Sequence, residues 1–264
     1  MPGEENLIYG IHAVEETVRA RGRRIEYVAA AKGRADQKVQ RILDACREQG
    51  VPVRFIDRDQ LERMVGRGAV HQGIAAVTAR TAYTDLEGLL RSKKAEKHFL
   101  VLLDGVEDPH NLGAILRSAD ATGADGIVIP ERRAVGVNAT VVKSSAGASE
   151  YVPVAKITNL SRTIEELKER GVWIVGLDER GEKTYDEMDF TSDVAIVLGA
   201  EGAGLHEQVR KHCDFLIRIP MLGRVASLNV SVAAGVVMCE VARQRRKQGP
   251  AEAKPKKERK GLGS

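Results

Sequence analysis

Apolar residues fall into two patterns along the 264-residue chain. In the first 80 positions they form short blocks, and Ile25-Glu-Tyr-Val-Ala-Ala30, Val53-Arg-Phe-Ile56 and Gly73-Ile-Ala-Ala-Val-Thr78 predict strands. Between the first two blocks, Val39, Ile42, Leu43 and Cys46 recur at helical spacing. They predict a helix from Asp36 to Gln49, stopped by Gly50. Downstream the runs are continuous rather than broken. Phe99–Leu103, Gly126–Pro130, Val172–Leu177, Val194–Leu198 and Phe215–Ile219 predict buried strands. Helices predicted over Asn111–Gly123, Ala139–Ala146, Leu160–Arg170 and Ser227–Arg246 are interspersed among them. That alternation predicts an α/β protein with a mostly parallel sheet covered on both faces. Residues 81–96 are polar and charged and read as a linker with room for a helical turn or more. The expected organisation is a small α/β unit over 1–80, that linker, a larger unit over 97–247, and a basic disordered tail over 248–264.

Composition changes this picture little. Hydrophobic residues make up 43% of the chain and aromatic residues only 4%, so aliphatic packing must build the core. No apolar run is long enough to span a bilayer, and the first residues lack the basic start and apolar centre of a signal peptide. Cys46, Cys213 and Cys239 are far apart and form no CxxC pair, which points to a reduced, cytoplasmic setting. The six histidines show no metal-ligand spacing, so no metal site is expected.

Charge is more informative. The net +4 is unevenly spread: residues 243–264 hold nine basic and two acidic residues, whereas 97–242 hold fifteen basic and twenty-one acidic. With fourteen basic and eleven acidic residues over 1–80, net charge points to the N-terminal unit and the tail as polyanion contacts and gives no support for the middle of the chain.

Three polar segments interrupt the apolar pattern. Asn111-Leu-Gly-Ala-Ile-Leu-Arg-Ser-Ala-Asp120 opens a helix and carries Arg117 within it. Leu198-Gly-Ala-Glu-Gly-Ala-Gly-Leu205 follows a strand but matches neither a dinucleotide fingerprint nor a P-loop. Its Glu201 can accept hydrogen bonds from a substrate or position an arginine. Ile219-Pro-Met-Leu-Gly-Arg-Val-Ala-Ser-Leu-Asn-Val-Ser-Val-Ala-Ala-Gly235 turns from strand to helix and presents Ser227 and Asn229 on either side of Leu228. Taken singly, an Asn or Ser at a helix start is an N-cap and an exposed Arg is a solvated side chain. The small residues Ala233, Ala234 and Gly235 suit close helix packing, including a helix–helix dimer contact.

In order and wording the three segments resemble the signature motifs of the SpoU/TrmH (SPOUT) family of RNA 2′-O-ribose methyltransferases. Ile8-Tyr-Gly-Ile-His-Ala-Val-Glu15 and His71-Gln-Gly-Ile-Ala75 resemble the branch that methylates a guanosine of bacterial 23S rRNA. The resemblance implies a ribosomal-protein-like RNA-binding domain at the N-terminus and a knotted methyltransferase domain behind it. It also implies S-adenosyl-L-methionine as cofactor, 23S rRNA as partner and a homodimer. Carried over by motif, Gly199, Ile219 and Leu228 hold the cofactor, with Leu198 and Leu222 as apolar walls. Arg117 is placed at the ribose hydroxyl, and Asn111, Glu201, Ser227 and Asn229 complete the polar site. A guanidinium stays protonated, so Arg117 reads better as a phosphate clamp that stabilises the developing alkoxide than as a free base. A phosphate oxygen, water or a perturbed arginine is then left as proton acceptor. Two rivals stand beside this reading. One is a methyltransferase of a tRNA guanosine or of an rRNA adenosine; the other is a non-catalytic rRNA-binding assembly factor.

Overall fold

Residues 7–20, 25–33, 36–66, 68–79 and 83–248 are described by a computed structural model. The tail beyond residue 248 lies outside the described residues. Four N-terminal strands form one sheet: β1 (Leu7–Tyr9), β2 (Ile25–Ala31), β3 (Val53–Ile56) and β4 (Ile74–Thr78), in the order β1-β4-β2-β3. β4 runs antiparallel to both β1 and β2, while β2 and β3 are parallel. Helices α1 (Ile11–Ala20), α2 (Gln37–Glu48) and α3 (Arg58–Val65) surround them. The helical spacing in α2 buries Val39, Ile42, Leu43 and Cys46, and the Asp36 carboxylate caps its start by accepting the Lys38 N–H at 2.9 Å. The short β1 and the helices α1 and α3 add to the elements expected from the pattern.

The stretch read as a linker carries structure. Helix α4 (Leu86–Arg91) buries Leu86 and Leu89, and Thr84 bridges Ala155 in parallel. From Thr84 onward the chain therefore already packs on the second sheet.

That second sheet has seven strands in the order β7-β6-β5-β10-β8-β11-β9. They are β5 (Phe99–Asp104), β6 (Gly126–Pro130), β7 (Val154–Ile157), β8 (Trp173–Leu177), β9 (Lys183–Thr184), β10 (Val194–Gly199) and β11 (Phe215–Arg218). Every pairing is parallel, as the continuous apolar runs predict. All six residues of β5 and of β10 are buried, and alternate ones serve opposite faces. Phe99, Val101 and Leu103 join one core layer, Leu100 and Leu102 the other. The remaining helices are α5 (Pro109–Thr122), α6 (Ala139–Ser144), α7 (Leu160–Glu169), α8 (Glu207–His212) and α9 (Val230–Gln248). The N-terminal unit packs closely against this layer. A methyl group added at Gly147 would lie 2.4 Å from Glu16 Cβ, and Tyr151 donates its hydroxyl to Glu16 at 3.2 Å.

Two helix starts differ from the sequence expectation. Helix α5 begins two residues before Asn111, because Asp108 caps it and Pro109 occupies the first turn without needing an N–H partner. Helix α9 begins at Val230, three residues after Ser227. Asn229 is the residue that caps it, accepting the Ser231 N–H at 2.9 Å on its side-chain oxygen. The stripe of small residues also finds a use within the chain. Ala234 is fully buried and Gly235 lies against Ser118 of α5, so close packing here is between α5 and α9 of one molecule.

Candidate active site

Parallel strands bring the three polar segments together at their carboxyl ends, where open α/β sheets bind ligands. β5 and β10 are neighbours, so the loop after β5 and the loop after β10 lie side by side. Asn111, in the first turn of α5, is buried. Its amide donates to Glu201 Oε2 at 3.3 Å, and its oxygen accepts the Asn229 amide at 3.0 Å. Asn229 also donates to Glu201 Oε1 at 3.3 Å. Three side chains from three distant segments thus close a polar ring. Asn229 Oδ1 is occupied by the Ser231 N–H and by the Ser231 hydroxyl at 2.6 Å. Helix capping therefore sets which end of the Asn229 amide faces Glu201 and Asn111.

Two cavities flank this ring. The first, about 300 Å³, is bounded by Leu177, Leu198, Gly199, Ile219, Met221, Ser227 and Leu228, with Asp178 and Glu179 supplying carboxylates. Its floor depends on Gly199. A Cβ there would fall 2.1 Å from the Gly204 carbonyl carbon, so only glycine lets the loop 200–204 fold back. The loop is closed by reciprocal bonds between Ala200 and Gly204 at 3.1 and 2.9 Å. The second cavity, about 350 Å³, is lined by Asn111, Glu107, Asp108, Arg133 and His206. Ala200, Glu201, Ala203 and Val230 line both, so the two cavities adjoin at Glu201, one corner of the polar ring, and a passage there would join them.

Other sequence-predicted residues fall outside this arrangement. Leu222 is 98% exposed and lines neither cavity, because the chain leaves β11 as a loop that turns this side chain outward; Met221 lines the first cavity instead. Ser227 lines the first cavity but does not cap α9. Arg117 is exposed on α5, lines neither cavity, and has no ion pair or side-chain hydrogen bond among the described residues. Six positions after Asn111, it projects about 120° around the helix from it.

Comparison with known proteins gives this geometry a family. The sequence model of the SpoU rRNA methylase family matches residues 98–239, and that of the RNA 2′-O-ribose methyltransferase substrate-binding domain matches residues 7–84. The chain belongs to the SpoU rRNA methylase family. It is an RNA 2′-O-ribose methyltransferase by that membership. Among SpoU/TrmH relatives, the Bacillus subtilis (strain 168) protein YacO, named for the TrmH family of tRNA/rRNA methyltransferases, is 43% identical over 251 residues. The match covers 94% of this chain and all of that one. The SpoU methyltransferase AviRb of Streptomyces viridochromogenes, solved in complex with AdoMet, superposes with a TM-score of 0.77 at 27% identity. That match covers 92% of this chain and 91% of AviRb. A TrmH/SpoU tRNA modifying enzyme from A. aeolicus covers 62% of this chain, and 85% of its own, at 32% identity and a TM-score of 0.54.

Sequence reasoning did not single out three residues that adjoin this arrangement. Ser231 is one, although a second polar residue two positions after Asn229 is a capping signal. Asp104 and His206 are others. His206 N–H donates to Asp104 Oδ2 at 2.8 Å and its ring Nδ1 lies 2.9 Å from Asp104 Oδ1, a contact between residues 102 positions apart. Among the described residues no three His, Cys, Asp or Glu side chains converge as metal ligands, and no helix is long and apolar enough to cross a membrane.

Proposed function

We propose that this protein transfers a methyl group from S-adenosylmethionine to the ribose 2′-hydroxyl of a guanosine in 23S rRNA, in a cytoplasmic setting and as a homodimer with a C-terminal trefoil knot. The observation that carries the reading is the Asn111–Glu201–Asn229 ring, at whose Glu201 corner two cavities adjoin. The donor set of the first cavity fits the cofactor. Leu177, Leu198, Ile219, Met221 and Leu228 offer apolar walls for an adenine ring, Asp178 and Glu179 offer acceptors for ribose hydroxyls and an ammonium group, and the volume is in the usual range for small-molecule sites. Bound there, S-adenosylmethionine supplies an electrophilic methyl group on a sulfonium.

The chain's own residues do the rest. Gly199, Ile219 and Leu228 hold the cofactor, and Leu198 forms part of the wall. Glu201, fixed by two amides, orients polar groups at the passage, and Ser227 adds a hydroxyl on the cofactor side. Arg117 clamps the phosphate next to the target ribose and stabilises charge that develops on its oxygen.

Arg117 and the loop after β11 explain why two copies are needed. Leu222, Val225 and Val232 are mostly exposed, and Val232, Val236 and Cys239 recur at helical spacing along α9, the helix that packs on α5. An apolar patch of this kind marks an interface. A C2 pair joined there presents Arg117 of each copy to the other's passage. The N-terminal unit delivers the RNA. Its net charge is positive, Phe55 is exposed, and Arg54 stacks on Tyr27 at 3.8 Å, a surface able to stack and hold unpaired nucleotides.

Incubation with methyl-labelled S-adenosylmethionine and bacterial 23S rRNA, followed by mapping of ribose methylation, tests the proposal. One labelled guanosine is expected. Label on tRNA or on an rRNA adenosine would replace the substrate. An rRNA-binding protein that takes up no cofactor in calorimetry would be an assembly factor instead.

A further inference from the structure

The second cavity contains a histidine whose chemistry is constrained by a buried carboxylate. Asp104, at the end of β5, is 6% exposed and holds His206 at two points, by the backbone N–H at 2.8 Å and by ring Nδ1 at 2.9 Å. The carboxylate can only accept, so Nδ1 carries the proton. In the neutral ring the lone pair is then on Nε2. The ring lines the same cavity as Asn111 and Glu201. It also lies near the passage: a methyl group added at Gly105 would be 3.3 Å from His206 Cε1 and 3.3 Å from Ala200 Cβ, and Ala200 belongs to both cavities. Two other protein groups of the polar site are less suited to accept a proton. Both Glu201 oxygens already accept amide protons, and a guanidinium does not give up its own.

We infer that the second cavity receives the target nucleoside and that His206 Nε2 takes the proton of its 2′-hydroxyl. The inference rests on the methyl-transfer reading above and adds a catalytic residue to it. The 2′-oxygen forms a bond to the methyl carbon, the carbon–sulfur bond breaks with its electron pair left on sulfur, and the hydroxyl proton passes to Nε2. The resulting imidazolium is paired with Asp104. Glu107, Asp108 and Glu201 face this space as acids and Arg133 as a cation, while Asp104 stands behind the ring. Glu207, next to His206 in the chain, is engaged by Arg210 and Lys211.

Single-turnover transfer to 23S rRNA, measured against pH, tests this with wild-type protein, His206→Gln and Asp104→Asn. In wild type the rate is expected to rise along one acidic limb as an imidazole loses its proton. His206→Gln should lower the rate by about 10²–10⁴-fold and abolish that limb. Cofactor affinity by calorimetry and rRNA affinity by filter binding should stay within about twofold. Independently, ¹⁵N imidazole spectra of the wild type should show neutral His206 protonated on Nδ1, with that preference lost in Asp104→Asn. A His206→Gln rate within about threefold of wild type overturns the inference. So does a neutral wild-type ring protonated on Nε2, whether or not any methyl transfer is seen. Wild type that binds cofactor but methylates no RNA would instead defeat the reading on which the inference rests.

Discussion

Asn229 and Arg117 are both residues of the expected polar site, yet they are treated oppositely by the fold. Asn229 makes four hydrogen bonds with its side chain, all within one molecule, to Asn111, Glu201 and both polar groups of Ser231. Arg117 makes none among the described residues and faces solvent. The inner wall of the site is therefore finished by one chain. Its outer rim, where Leu222 and Val232 are also exposed, is in the proposed dimer completed by a second copy. A residue type that is costly to leave unpaired in a dry site is tolerated at a rim that a second molecule can cover.

The sharpest way to break this contrast is to inactivate each side separately and mix the products. Arg117→Ala and Glu201→Ala should each lower single-turnover methylation by about a hundredfold or more. If Arg117 acts on the partner's site, co-expressing the two variants restores about a quarter of wild-type activity, because about half of random dimers are mixed and each has one intact site. If it acts on its own site, mixing restores nothing.

A second test removes the rim. Val232→Glu should convert the dimer to a monomer in light scattering at micromolar concentration, with transfer lost and cofactor binding weakened less. Cys239, on the same stripe, should then be alkylated faster than in wild type. Cys46 and Cys213 should stay unreactive near neutral pH in both proteins, because burial pushes their thiols up to about 11 and about 12. A monomeric wild type, or equal Cys239 rates, would remove the rim from the site.

The smallest effect is on stability, and it separates the two residues most directly. Asn229→Ala loses a helix cap, at a cost of about 1 kcal/mol, and should lower the melting temperature by about 2–4 °C in scanning calorimetry. Arg117→Ala should leave it unchanged. Equal shifts in the two variants would mean that Arg117 has a structural partner.

The inner wall was more legible than the rim for a physical reason. Continuous apolar runs such as Phe99–Leu103 and Val194–Leu198 announce strands buried on both faces, and polar residues just past them must sit at the sheet's carboxyl edge. Asn111, Glu201 and Asn229 follow from that placement together with the motif resemblance. Leu222 was assigned to a wall of the cofactor site, but an apolar type in a loop carries no direction; the path of residues 221–229 turns Met221 in and Leu222 out. The small residues of α9 were also ambiguous. Ala234 and Gly235 announce a close approach without naming the neighbour, which turned out to be α5. The Asp104–His206 contact needs β5 beside the loop after β10, and strand order is not encoded in local periodicity.

Near the end of α9 the Arg245 guanidinium donates to the carbonyls of Phe190, Ser192, Lys97 and His98, the last of them 147 residues earlier. The first strand of the parallel sheet is thus tied down by nearly the last residue of its final helix. During synthesis, at about 5–20 residues per second, most of that sheet must wait several seconds for its closing clasp. The four strands of the N-terminal sheet, by contrast, are all synthesised by Thr78. A nascent chain that ends before Asn229 lacks both the third member of the polar ring and the clasp, so the methyl-transfer site is among the last parts of the molecule to be assembled.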